Sequence, residues 1–169
     1  MAKRSNHYDA AFEEFLRGSR VPHVVVDETR RALMARTSLK SMDFIVYSQG
    51  EHNLLVDVKG RQFPSGRESG GHKWENWSSE DDVDSLLRWQ EVFGTGFRSL
   101  LVFAYNVVDG KYLRELETPF TFRNRLYAFY GVWADEYRCS MKTRSPSWET
   151  VSLPSRQFRE LRLPIREFL

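Results

Sequence analysis

Apolar residues near the start of the chain recur at the spacing of one helix face. Tyr8, Ala11, Phe12, Phe15 and Leu16 follow an i, i+3, i+4, i+7 pattern, which predicts an amphipathic helix over residues 8–17. Gly18 supplies a stop, and Pro22 confirms the break. Short apolar runs then replace the helical period. His23, Val24, Val25, Val26 and Asp27 predict a buried strand. The polar, basic residues 28–39 read as a connection. Residues 42–47 predict a second strand, 48–53 a hairpin loop around Gly50 and Asn53, and 54–59 a third strand ended by Gly60. Residues 60–78 are polar and hold Gly66, Gly70 and Gly71, the pattern of a long functional loop. Ser78 and Asp81 have capping-box spacing and start a second helix near Ser79. Its inner stripe is Val83, Leu86, Leu87, Gln90 and Phe93, and Gly94 is its stop. Residues 97–108 predict a fourth strand and 120–133 a further hairpin. An edge strand at 148–153 and a short helix at 154–161, with Pro154 in its first turn, complete the chain. Helix, three strands, helix, strand and added elements define an α/β fold with a mixed sheet.

Composition narrows the setting. The 169 residues suit one domain, 1–169, and 41% hydrophobic content supplies a core. A formal net charge of +2 does not by itself mark a nucleic-acid binder, so only local clustering of the 25 basic residues would. Cys139 is the single cysteine, which excludes an internal disulfide and reads as a structural thiol. No apolar stretch approaches the ~20 residues of a membrane span. The N-terminus is basic without an apolar signal core, so a cytoplasmic location is expected.

Charge on the third strand brings in chemistry. Side chains alternate along a strand, so Leu55, Asp57 and Lys59 share one face and Leu54, Val56 and Val58 the other. A carboxylate and an ammonium on so apolar a strand cost several kcal/mol unless they are paired or bind something. Hairpin pairing around Gly50 or Glu51 sets Asp43 of the second strand opposite Asp57 or Lys59. Crowded carboxylates repel unless a divalent cation bridges them, and hard oxygen donors suit Mg²⁺ or Mn²⁺. Lys59 would position or help deprotonate a water and stabilise charge on a phosphate. An Asp-x-Lys pair alone is an ordinary surface pair, and Asp43 gives it weight.

These elements, with Phe12-Glu13-Glu14, Met42-Asp43-Phe44 and Asp57-Val58-Lys59, resemble the core of the PD-(D/E)xK nuclease superfamily across residues 8–108. The resemblance implies a restriction-endonuclease-like core (αβββαβ) with extra C-terminal strands. It implies a metal-dependent nuclease acting on nucleic acid, DNA in the first instance, and leaves a homodimer open. Asp43, Asp57 and Glu13 would hold the metal, and Lys59 would assist the water. Glu13 is chosen from the Phe-Glu phrase, because a helical wheel does not separate it from Glu14. Gln90 matches a helix glutamine of some members, but position 94 is Gly where their pattern has Tyr. It stands equally as a site residue or a satisfied core amide.

Weaker signals lie around this core. Arg61 could reach a phosphate, and Arg67, His72, Lys73, Trp74 and Trp77 interleave charge with aromatic rings. Lys40 falls on the opposite face of a regular second strand and reads as structural, and Arg138, Lys142 and Arg144 form a basic cluster. Two other functions compete. A nuclease-like fold could act without catalysis as an interaction module, a reading that wins if Asp43 and Asp57 do not converge within metal-ligand reach. Alternatively, Phe120, Phe122, Tyr127 and Trp133 could line a small-molecule pocket.

Overall fold

The computed structural model describes residues 6–27, 29, 31–34, 37–65 and 74–169. Arg67, His72 and Lys73, and the loop glycines Gly66, Gly70 and Gly71, lie outside the described residues. The elements run α1 (His7–Gly18), β1 (His23–Val25), β2 (Arg31–Met34), β3 (Thr37–Lys40), β4 (Phe44–Val46), β5 (Asn53–Phe63), β6 (Ser78–Ser79), α2 (Glu80–Phe93) and β7 (Phe97–Val107). They continue with β8 (Phe120–Phe122), β9 (Arg125–Trp133), α3 (Ala134–Ser140), β10 (Lys142–Ser145), β11 (Thr150–Ser152), α4 (Ser155–Leu161) and β12 (Leu163–Pro164). The main sheet has the order β1-β4-β5-β7-β9-β12, with β8 on β9. Among the described residues, β5 and β7 are its one parallel pair, because α2 carries the chain back between them.

Strand alternation sorts the core into two layers. Leu54, Val56 and Val58 of β5 meet Phe12, Phe15 and Leu16 of α1 on one face. Leu55 meets Val83 and Leu86 of α2 on the other, beside Tyr137 of α3 and Phe158 of α4. Phe120, Phe122, Tyr127 and Trp133 pack into the α1 layer, with Phe120 and Phe15 edge to face at 5.5 Å. Their rings fill a core rather than line a pocket. Among the described residues no helix is long and apolar enough to cross a membrane.

Several elements depart from the sequence pattern. β1 is an edge strand, with Val24 and Val25 exposed, because β4 is its one neighbour in the sheet. Residues 31–34 and 37–40 pair as antiparallel strands where the sequence suggests a connection. Gly60 does not end β5. The strand runs on to Phe63, and Gly60 is where α1 comes closest, since a Cβ there would strike the Tyr8 ring. Ser79, one residue later than expected, caps α2 by accepting from the Asp82 N–H at 3.1 Å. β11 is the middle of a small β10-β11-β6 sheet. Cys139 is exposed on α3.

Candidate active site

The β4–β5 hairpin pairs Phe44 with Val56, which brings Asp43 across from Asp57 as the pattern required. Asp43 is 6% exposed, and its carboxylate accepts from the Val58 N–H at 2.7 Å. Lys59, two residues past Asp57 on the α2 face, lies 2.9 Å from the Asp57 carboxylate. It lies 2.6 Å from Asp82, in the first turn of α2. Asp82 also takes Lys40 at 2.6 Å, and Lys40 reaches Asp81 at 3.2 Å. Two lysines and three aspartates thus alternate in one chain of ion pairs. A cavity of about 400 Å³ opens on it, lined by Asp9, Lys40, Asp43, Asp57, Lys59 and Asp82.

Glu13 is not in this cavity. It sits a turn too far along α1 and pairs with Arg17 at 2.8 Å, as Glu14 does at 3.5 Å. The acid that α1 brings is Asp9, which is 2% exposed. Asp9 precedes Phe12 by three residues and Leu16 by seven, so it stands on the apolar stripe itself. That spacing was the available signal.

Gln90 also lies elsewhere. Its carbonyl oxygen accepts from the Ser99 N–H at 2.7 Å, tying the end of α2 to the start of β7, and it is a satisfied amide. Lys40 was misplaced because the chain turns between β3 and β4, so strand alternation does not carry from Asp43 back to it. The Trp89 indole N–H donates to the Lys40 carbonyl at 2.8 Å, which fixes that turn against α2. Asp82 escaped notice because an acid at a helix start looks like a partner of the helix dipole alone.

Electrostatics set the charge states. Burial alone would lower the Lys59 pKa, but Asp57 and Asp82 outweigh it and hold the pKa above its ordinary value. Lys59 is therefore held as an ammonium between these two carboxylates. Burial would raise Asp82, yet Lys59 and Lys40 bring it from 3.8 down to about 2. At about 1.36 kcal/mol per pKa unit, that depression contributes roughly 2 kcal/mol of stability. The contribution is present above pH 4 and lost as pH falls through 2. The Lys59 contribution is present below 10.5 and lost only as pH rises beyond its raised folded value. Urea unfolding of the wild type should weaken between about pH 4 and 2, and Asp82→Asn should remove much of that acid sensitivity. Equal acid sensitivity in both proteins would show that Asp82 does not carry it.

The mixed sheet flanked by helices is a restriction-endonuclease-like fold. The chain is similar to the 1.6 Å structure of Hjc, a Holliday junction resolvase from the archaeal hyperthermophile Archaeoglobus fulgidus. The two share a TM-score of 0.57 over 96% of this chain and 97% of that one, at 12% identity. No family model matches the sequence, and no curated protein sequence matches it.

Proposed function

We propose that the protein is a nuclease of the PD-(D/E)xK type that hydrolyses phosphodiester bonds, DNA in the first instance. Asp43, Asp57 and Asp9, rather than Glu13, would hold a Mg²⁺ or Mn²⁺ ion. The observation that carries this reading is the single cavity that gathers Asp9, Asp43, Asp57 and Lys59 on a restriction-endonuclease-like fold. The donor chemistry suits the ion, since carboxylate oxygens are hard ligands for these cations. When bound, the cation supplies Lewis-acid activation of water and neutralises charge on the phosphate. Lys59 keeps Asp82 as its anchor and presents its ammonium to the phosphate oxygens. Asp43, tied to the Val58 N–H, keeps its carboxylate fixed in the cavity wall.

The ion pairs favour a second reading. Among the described residues no three acidic, histidine or cysteine side chains close into a ready-made metal cluster. Lys59 instead bridges Asp57 and Asp82. The same fold could bind nucleic acid without cutting it. The deciding assay incubates the protein with four-way-junction, duplex and single-stranded DNA and with RNA, in Mg²⁺, Mn²⁺ or EDTA. Cleavage in either metal and none in EDTA is expected, with the junction tested first because the similar structure is a junction resolvase. Binding without cleavage in any metal would select the second reading.

A further inference from the structure

Beyond Lys59 on the same face of β5 stands Arg61, about 6.6 Å further along at about 3.3 Å per residue. Its guanidinium lies over the Trp77 ring at 3.8 Å and donates to the carbonyls of Gly60 and Trp77. Its Nε is buried with no hydrogen-bond partner. Burial lowers its pKa, against the opposing pull of Tyr105, Glu75 and Tyr137, and Arg144 adds to the lowering. Arg144 is exposed and lies over the same Trp77 ring at 5.2 Å. Among the described residues no carboxylate comes within ion-pair distance of either guanidinium. Two guanidinium groups on one indole with no carboxylate in direct contact form an arrangement that an anion can complete, since Arg61 carries its charge partly buried.

Hydrogen bonds tie the surrounding backbone to the C-terminal elements. Asn76 exchanges two hydrogen bonds with the Leu153 backbone, at 3.2 and 2.7 Å. The Tyr137 and Tyr105 hydroxyls donate to the carbonyls of Asn76 and Glu75 at 2.7 and 2.8 Å. Trp77 is thus held in place beside Arg61.

We propose that Arg61 and Arg144, set on Trp77, form a subsite for a backbone phosphate of the bound nucleic-acid strand, next to the phosphate at Lys59. This rests on the nuclease reading for the placement of the strand, but its test does not need cleavage. Arginine suits the task because its planar fork matches phosphate oxygens.

Fluorescence anisotropy in EDTA, with the full chain and fluorescein-labelled DNA and RNA oligonucleotides, measures it. Arg144→Ala and Arg61→Met should each weaken binding about tenfold, the effect of one charged hydrogen bond. Each should also make the slope of log affinity against log salt shallower by about 0.7–0.9, the contribution of one phosphate. The DNA and RNA arms show which backbone supplies the phosphate. Arg144 is exposed, so Arg144→Ala carries the test even where Arg61→Met does not fold. An unchanged slope in Arg144→Ala, or no binding by the wild type to either probe, overturns the subsite. A shallower slope in a protein that never cleaves keeps the subsite and sinks the nuclease reading. Cleavage with an unchanged slope does the reverse.

Discussion

Lys59→Met should lower single-turnover cleavage by roughly a hundred- to a thousandfold, the usual effect of removing one preorganised charge from a phosphate or oxyanion. The substitution removes an ammonium held by Asp57 and Asp82 at 2.9 and 2.6 Å, and nothing else in the cavity replaces it on β5. Asp57→Asn should cost at least as much, because it deletes a proposed metal ligand. Asp9→Asn should also impair cleavage, whereas Glu13→Ala should leave it within about twofold, since surface changes of this kind move little. The contrast between Asp9 and Glu13 separates a site built by the fold from one built by analogy. Retention of full activity in Lys59→Met would mean that the lysine only neutralises its neighbours.

Gly60→Ala should destabilise the protein by about 2–3 kcal/mol in urea unfolding, the cost of forcing atoms into an occupied space. A methyl group there collides with the Tyr8 ring, and the strand backbone behind it is paired with β7, Gly60 opposite Ala104. Relief must come from α1. Because Asp9 follows Tyr8 directly, any such shift carries the acid away from Asp43, and cleavage should fall with stability. Tyr8→Ala in the same chain should recover part of the loss through coupling of the two sites. An additive double variant would show that the helix is seated by other contacts.

Much of the site was legible because strand geometry is local. Alternation put Asp57 and Lys59 on one face, and a short hairpin with Gly50 near its centre fixed Asp43 across from Asp57. The residues that escaped arrive from elements docked by tertiary packing. Asp9 depends on where α1 crosses β5, Asp82 on where α2 begins, and Lys40 on a turn that breaks the strand pattern. Local sequence does not encode those crossings, although the stripe shared by Asp9, Phe12 and Leu16 hinted at the first. The same limit applies to β1, whose run of valines looked buried. Its exposure follows from being last in the sheet order. Gln90 shows the converse, a polar residue on an inner stripe whose partner is a backbone N–H.

The hydrogen bonds around Asn76 give the C-terminal third of the chain a purpose that the restriction-endonuclease-like core does not explain. Residues 74–79 would otherwise be a free tether between β5 and α2. Leu153, Tyr137 and β11 instead act as a buttress behind it. The conformational freedom of that segment is surrendered when the protein folds, so the proposed nucleic-acid strand would not have to order it. The elements added after Val108 thereby tie residues 76–79, and with them Trp77 beside Arg61, to the body of the fold.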